Sequence, residues 1–353
     1  MSTDGLLDFF AARRDRGASL AMVTVYETQG STYSKAGARM LIDADGVFHG
    51  MLSGGCLEGD LAVRAAAVIE SGQAQTVSYD LAQDDDELWG MGVGCDGLIR
   101  VFLQPLNAAD AHEPFGTIAE VLAGESEALS ATVITSRHPG LAPGATTVRQ
   151  DGKYRSFGVD DSVAEALGHV LDTAAGSRES RLIETTIESA EVRVLLAPIT
   201  PPPRLLVLGA GLDAEPVVRF AAELGWRVTV ADHRPAYLEN GDFALAEASV
   251  CVPAAALAER LDLSRFDFAI VMSHHLVSDR SYLTQLAASP VAYIGLLGPR
   301  ARRQRLESEI GDSAAALTGR LHGPAGLDIG GRGPAAIALS IIAAMQASLR
   351  DRN

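Results

Sequence analysis

Cysteine is scarce in this chain, with only Cys56, Cys95 and Cys251 among 353 residues. Three thiols without a pairing pattern argue against a disulfide framework, and their spacing is not that of an iron–sulfur protein. Positive charge is in deficit as well. Lys+Arg 29 against Asp+Glu 45 leaves a formal net charge of −16, which argues against nucleic acid or an anionic membrane as partner unless one face is locally basic. An anionic small ligand stays compatible, since backbone amides and a few arginines hold it locally. Long apolar runs are also missing: none approaches the ~18 residues of a spanning helix, and the longest, from Ala335 to Met345, reads as a short helical segment. Residues 1–17 lack the basic-then-apolar order of a signal peptide, so the cytoplasm is the expected compartment.

What is present points first to residues 50–60, Gly50-Met51-Leu52-Ser53-Gly54-Gly55-Cys56-Leu57-Glu58-Gly59-Asp60. A glycine pair brings backbone close to a ligand. Leu57, Leu61, Ala65, Val68 and Ile69 then repeat at helical spacing. Cys56 is therefore expected where a loop becomes a helix, beside amides without intrahelical partners, a place that favours anions and thiolates. Magnitudes limit this effect. A helix end contributes roughly 0.3–1 kcal/mol, under one pKa unit, so a thiol of ordinary pKa near 8.5 stays mostly protonated at neutral pH. Glu58 in the first turn works against it further. A reactive Cys56 needs a cation, with Lys35 and Arg39 as candidates; otherwise it is a structural thiol. A second loop, Gly90-Met91-Gly92-Val93-Gly94-Cys95, shares the chemistry of glycines followed by a cysteine. A third reading of Cys56 pairs it with Cys95 on a zinc ion, for which spacing identifies no two further ligands. Cys251, within an apolar strand, is expected in the core.

Ile199-Thr200-Pro201-Pro202-Pro203-Arg204 forms a stiff spacer. Beyond it, strand-like runs at 205–209, 227–232, 249–252, 266–273 and 291–298 alternate with helix-length segments, which implies a parallel sheet covered on both faces. The fold class expected is α/β, with a Rossmann-like domain over 205–353, a Pro-rich linker over 199–204 and an N-terminal α+β domain over 1–198. In the second domain Gly209-Ala210-Gly211-Leu212-Asp213-Ala214 follows the first strand, and Asp232 ends the next. Gly209 suits the tight turn, Gly211 the approach of a pyrophosphate, and Asp232 a ribose hydroxyl. NAD and NADP are not separable, because His233-Arg234 leaves room for a 2′-phosphate. His274, Arg300 and His322 fall in loops expected at the ligand crevice, as ordinary loop residues or as ligand contacts. For Arg300, at a helix start, charge and dipole both favour an anion.

These pieces together resemble a known family. Gly30-Ser31-Thr32, Lys35-Ala36-Gly37-Ala38-Arg39-Met40, Ser53-Gly54-Gly55-Cys56-Leu57-Glu58 and Gly92-Val93-Gly94-Cys95-Asp96-Gly97 resemble the N-terminal domain of the XdhC/CoxI family, the maturation factors of xanthine dehydrogenase and related molybdenum hydroxylases. Tyr293 to Gly298 and His322 to Asp328 resemble that family's Rossmann domain. The resemblance implies a chaperone that binds molybdenum cofactor, protects it while a cysteine desulfurase supplies its sulfido ligand, and inserts it into the apo-hydroxylase. It implies that Cys56, alone or with Cys95, meets the metal–sulfur end, while Gly54, Gly55, Gly94, Lys35, Arg39 and Arg300 hold the anionic pterin phosphate. A homodimer is the expectation from family and class. The family often carries a histidine after the second Rossmann glycine; Leu212 stands there instead, so any role of that histidine does not carry over. The alternatives are an NAD(P)-dependent oxidoreductase, motivated by Gly209, Gly211 and Asp232, and a nucleotide-sensing adaptor.

Overall fold

A computed structural model describes residues 3–80 and 97–351. The chain divides into two compact units, Met1–Pro201 and Pro202–Asn353.

The first unit runs α1 (Thr3–Arg14), β1 (Leu20–Gln29), β2 (Arg39–Asp43), β3 (Phe48–His49), α2 (Glu58–Ser71), β4 (Gln75–Asp80), β5 (Leu98–Leu106), α3 (Phe115–Ala123), β6 (Ala128–Ser136), β7 (Thr146–Gln150), β8 (Lys153–Phe157), α4 (Asp161–Thr173), β9 (Arg181–Ile187) and β10 (Ala190–Ile199). These strands form two sheets in the orders β3-β2-β1-β5-β4 and β8-β7-β6-β10-β9, both antiparallel. Side chains alternate across a strand, and β1 is apolar on both faces for that reason. Ala21, Val23 and Val25 pack under α2 with Leu61, Ala65 and Val68, while Leu20 and Met22 meet Phe9 and Phe10 of α1 and Phe115 and Ile118 of α3. The Asp45-Gly46 turn folds β3 back on β2, pairing Leu41 with His49 and Ile42 with Phe48, and this hairpin delivers the chain to the Cys56 loop. Its close fit depends on Gly50, whose φ is +112° and where an added Cβ would lie 2.5 Å from the Met40 Cβ and 2.9 Å from the Arg39 carbonyl oxygen.

The second unit continues with β11 (Arg204–Leu208), α5 (Ala214–Glu223), β12 (Arg227–Asp232), α6 (Pro235–Asn240), β13 (Ala248–Cys251), α7 (Leu257–Arg260), β14 (Phe268–Val271), α8 (Leu276–Ala287), β15 (Tyr293–Leu296), α9 (Arg300–Ile310), β16 (Leu321–His322) and α10 (Pro334–Asp351). The sheet is parallel, in the order β13-β12-β11-β14-β15-β16. Leu205 and Val207 face α5 and α10, and Leu206 and Leu208 face α8, so both faces are covered as the continuous apolar strands imply. The order reverses between β11 and β14, placing a crevice at their carboxyl ends. One expectation fails here: Cys251 is exposed, not core. It ends β13, the edge strand, where a short apolar segment is left half-covered.

Candidate functional site

Cys56 lies one residue before the N-cap of α2, partly buried against the core under that helix. The orphan amides expected there are present, and the chain supplies its own anion to them. The Glu58 carboxylate accepts from the amides of Leu52 and Ser53 at 2.9 Å, Gly55 at 3.0 Å and Leu57 at 3.2 Å, and from the Ser53 hydroxyl. Ser53 Oγ in turn accepts from the Leu57 amide at 2.7 Å. Burial alone would raise the Glu58 pKa, but the Ser53 hydroxyl and the Ser53 and Leu52 amides outweigh it and hold the carboxyl below its ordinary value. Ser53, Gly55 and Glu58 thus form a closed ring of hydrogen bonds around the turn that carries Cys56. Gly54 lies under the Tyr33 ring, 3.4 Å from where its Cβ would be.

The two candidate cations take other partners. Lys35 is exposed and bonds the Thr32 hydroxyl. Arg39 donates to Ser130 Oγ at 3.4 Å, and burial pushes its guanidinium down to about 10. Gly94 and Cys95 lie outside the described residues. Among the described residues no group of three His, Cys, Asp or Glu side chains is placed to hold a metal ion.

In the second unit the G-x-G loop sits at the crevice, yet its polar sites are filled from within. Gly209, with φ +120°, presses against β14's exit, where a Cβ would lie 2.7 Å from the Met272 carbonyl and the Ser273 backbone. That glycine is required by the strand packing itself. Over Gly211 lies the Asp213 carboxylate, 2.7 Å from where a Cβ would be, and Asp213 is hydrogen-bonded to His274 Nε2 at 2.7 Å. Asp232, the residue suited to a ribose, is fully buried. It accepts from the Ala210 amide at 2.8 Å, from the Arg234 amide at 2.9 Å, and from both ends of the Arg234 guanidinium at 2.9 and 2.8 Å. Burial works to raise its pKa, but these donors win and lower it. A pyrophosphate here would meet the Asp213 carboxylate, and a ribose hydroxyl would compete with a bidentate arginine. The arrangement does not fit a bound dinucleotide.

Arg300 and His322 are brought together, lining a cavity of about 650 Å³ between α9, α10 and the end of β16. His322 stacks on Tyr293 with ring centroids 4.1 Å apart and planes 8° from parallel. Burial on that ring, and then the Arg303 guanidinium, lower its pKa, keeping it neutral at pH 7. Arg303 is itself paired with Glu307 at 2.8 Å. His274 belongs to the G-x-G loop rather than to this cavity. Its φ of +59° is uncommon for a residue with a side chain, and strain of that kind clusters at functional loops. Sequence reading missed Arg234, Asp213, Tyr293 and Arg303 as partners of the residues it picked. The spacing of Asp232 and Arg234 was the one available signal.

Comparison with known proteins places both units. The profile of the XdhC and CoxI family matches residues 13–80, and that of the XdhC Rossmann domain matches residues 205–345. A crystal structure of a xanthine dehydrogenase from Bacillus halodurans superposes with a TM-score of 0.79 at 30% identity, over 100% of this chain and 97% of that one. The chain belongs to the XdhC/CoxI family. Among its other relatives is a probable xanthine dehydrogenase subunit from Bacillus subtilis strain 168, 29% identical over 322 residues and 91% of each chain. A shorter likeness is to the molybdenum cofactor insertion chaperone PaoD of Escherichia coli K12, 29% identical over 93 residues, 26% of this chain and 28% of PaoD. The XdhC Rossmann profile thus covers a domain whose G-x-G loop, in this chain, carries its own carboxylates.

Proposed function

We propose that this protein is an accessory factor of a xanthine dehydrogenase-type molybdenum hydroxylase, and that its cargo is molybdenum cofactor. The observation that carries the reading is the family membership of both units, joined to the likeness to a molybdenum cofactor insertion chaperone. The relatives named as xanthine dehydrogenase do not transfer the enzyme to this chain, because its three cysteines lack iron–sulfur spacing.

In this reading Cys56 meets the metal–sulfur end of the cargo, where the metal itself takes the place of the cation that Lys35 and Arg39, hydrogen-bonded elsewhere, do not supply. Support comes from the ring around Glu58, which presents a partly exposed thiol on a fixed turn without spending the thiol in that ring. Preorganisation of this sort is what a transient soft-metal contact needs. Sulfuration with a cysteine desulfurase, delivery to the apo-hydroxylase, a homodimeric state and a cytoplasmic setting belong to the same proposal. Among the described residues no helix is long and apolar enough to cross a membrane. An NAD(P)-dependent oxidoreductase is the alternative that the G-x-G loop favours, and the Asp213 and Asp232 carboxylates oppose it.

The test is purification under anaerobic conditions from a cofactor-producing host, with molybdenum, pterin and nicotinamide measured per chain. The wild type is expected to carry pterin and molybdenum, and Cys56→Ala to lose most of the molybdenum. Stoichiometric nicotinamide without pterin would replace this reading with the oxidoreductase.

A further inference from the structure

Among the described residues, charge withdrawn wholly or partly from water is otherwise answered by the protein's own chain. Arg13 pairs with Asp43 at 3.2 Å, Arg234 with Asp232 at 2.8 Å and Arg302 with Asp279 at 2.7 Å, while Glu58 takes loop amides. Arg39 is the exception among the described residues. Its guanidinium has one long hydrogen bond, to the Ser130 hydroxyl at 3.4 Å, which already donates to the Ala197 carbonyl. Burial is the sole cause of its lowered pKa, with no carboxylate to offset it. At neutral pH it is still a cation. Arg39 is half-buried, and a charge partly withdrawn from water without a partner is costly, so such an arrangement is expected where an anion arrives from outside.

The surroundings fit that expectation. Arg39 opens into a cavity of about 340 Å³ together with Tyr33, His49, Met51 and residues of α1. His49 Nε2 is buried there with no hydrogen-bond partner, its ring held against Phe9 with centroids 6.2 Å apart. A buried, unpaired imidazole nitrogen is a second group waiting for a polar partner. The contact of Gly50 with the Arg39 and Met40 backbone holds His49 and Arg39 on the same wall. Tyr33, 62% exposed, lines the same cavity, and its ring lies 3.4 Å from where a Cβ on Gly54 of the Cys56 loop would be.

We propose that this cavity is an oxyanion site for a small phosphomonoester, with the Arg39 guanidinium and the His49 ring on the phosphate and the Tyr33 ring over the remainder. A planar guanidinium matches two phosphate oxygens at once. The cavity sits at the lower end of small-molecule pockets, roughly 300–1,000 Å³, which exceeds what a bare ion fills. The natural ligand's identity rests on the reading above, where a pterin phosphate is the anionic end of the cargo; the preference for an oxyanion rests on the geometry alone.

The test uses the full chain without cargo and the probes inorganic phosphate and phenyl phosphate, at ionic strength fixed with chloride. Both probes are expected to raise the melting temperature of the wild type, as a ligand of the native state must, with phenyl phosphate binding several-fold more tightly. Arg39→Gln is expected to abolish the shift, Arg39→Lys to restore part of it, and His49→Phe to weaken binding about tenfold. Should Arg39→Gln fail to fold, His49→Phe decides, since Phe keeps the packing on Phe9. No shift in the wild type, or equal shifts in all variants, would overturn the site. Phenyl phosphate binding more weakly than phosphate would overturn its assignment to an ester. A wild type that carries pterin when purified from a cofactor-producing host, yet ignores both probes once stripped of it, would sink the oxyanion site and leave the accessory role standing; the converse pattern would do the reverse.

Discussion

Glu58 determines what the Cys56 turn is at the level of single atoms. Five donors converge on one carboxylate, so the turn's stability depends on a charge that the chain carries with it. Glu58→Ala leaves several partly buried amides without an acceptor and is expected to cost about 3 kcal/mol. Glu58→Gln keeps one carbonyl acceptor and loses the charge, so about 1–2 kcal/mol is expected. The pH dependence has a definite sign. The folded pKa lies below the ordinary carboxylate value, so the native state holds the proton less tightly than the unfolded chain. The stabilisation is therefore complete above the unfolded pKa of about 4.3 and disappears as pH falls through the lower, folded value. Urea midpoints of wild type and Glu58→Gln, followed from pH 7 to pH 3, should converge in acid. A constant gap would mean that the charge is not what holds the turn. The same residue shows how far spacing alone reaches. It located the orphan amides beside Cys56, but the acceptor they find depends on a side chain folding back along its own helix, which no residue count expresses.

At the scale of elements, the parallel sheet was readable because each strand is an uninterrupted apolar run between helix-length segments, the pattern imposed by burial on both faces. The hairpin of β9 and β10 was not. Its turn residues, Glu188 and Ser189, have φ values of +47° and +71°, a left-handed pair that normally advertises itself through Asn or Gly. Without that signal nothing in the sequence marks the turn between the two strands. Cys251 misled for a different reason, since composition does not say whether a strand lies at the edge. The Rossmann glycines give the sharpest element-level prediction. Gly209→Ala forces a Cβ into the Met272 and Ser273 backbone at a positive φ and should cost about 3 kcal/mol or more. Gly211→Ala meets only the movable end of Asp213 at close range and should cost under about 1 kcal/mol. Thermal unfolding of the two variants checks this. Similar costs would mean that the loop is shaped by something other than the approach of β11 to the exit of β14.

For the whole molecule, each compact unit draws its core clusters from its own stretch of sequence, residues 6–199 in one and 205–349 in the other. A chain organised in this way need not unfold as one cooperative block, because two-state behaviour is a property of single small domains. Calorimetry is expected to give a total enthalpy larger than the van't Hoff enthalpy, with a trace that resolves into two transitions. The two local perturbations above then assign them. Every lining residue of the Arg39 cavity lies in Met1–Pro201, so inorganic phosphate should raise one transition and leave the other in place. Gly209 lies in Pro202–Asn353, so Gly209→Ala should lower the transition that phosphate does not move. If phosphate and Gly209→Ala both shift a single transition, the units are thermodynamically coupled. Cargo held in the first unit would then be felt in the crevice of the second through folding free energy alone.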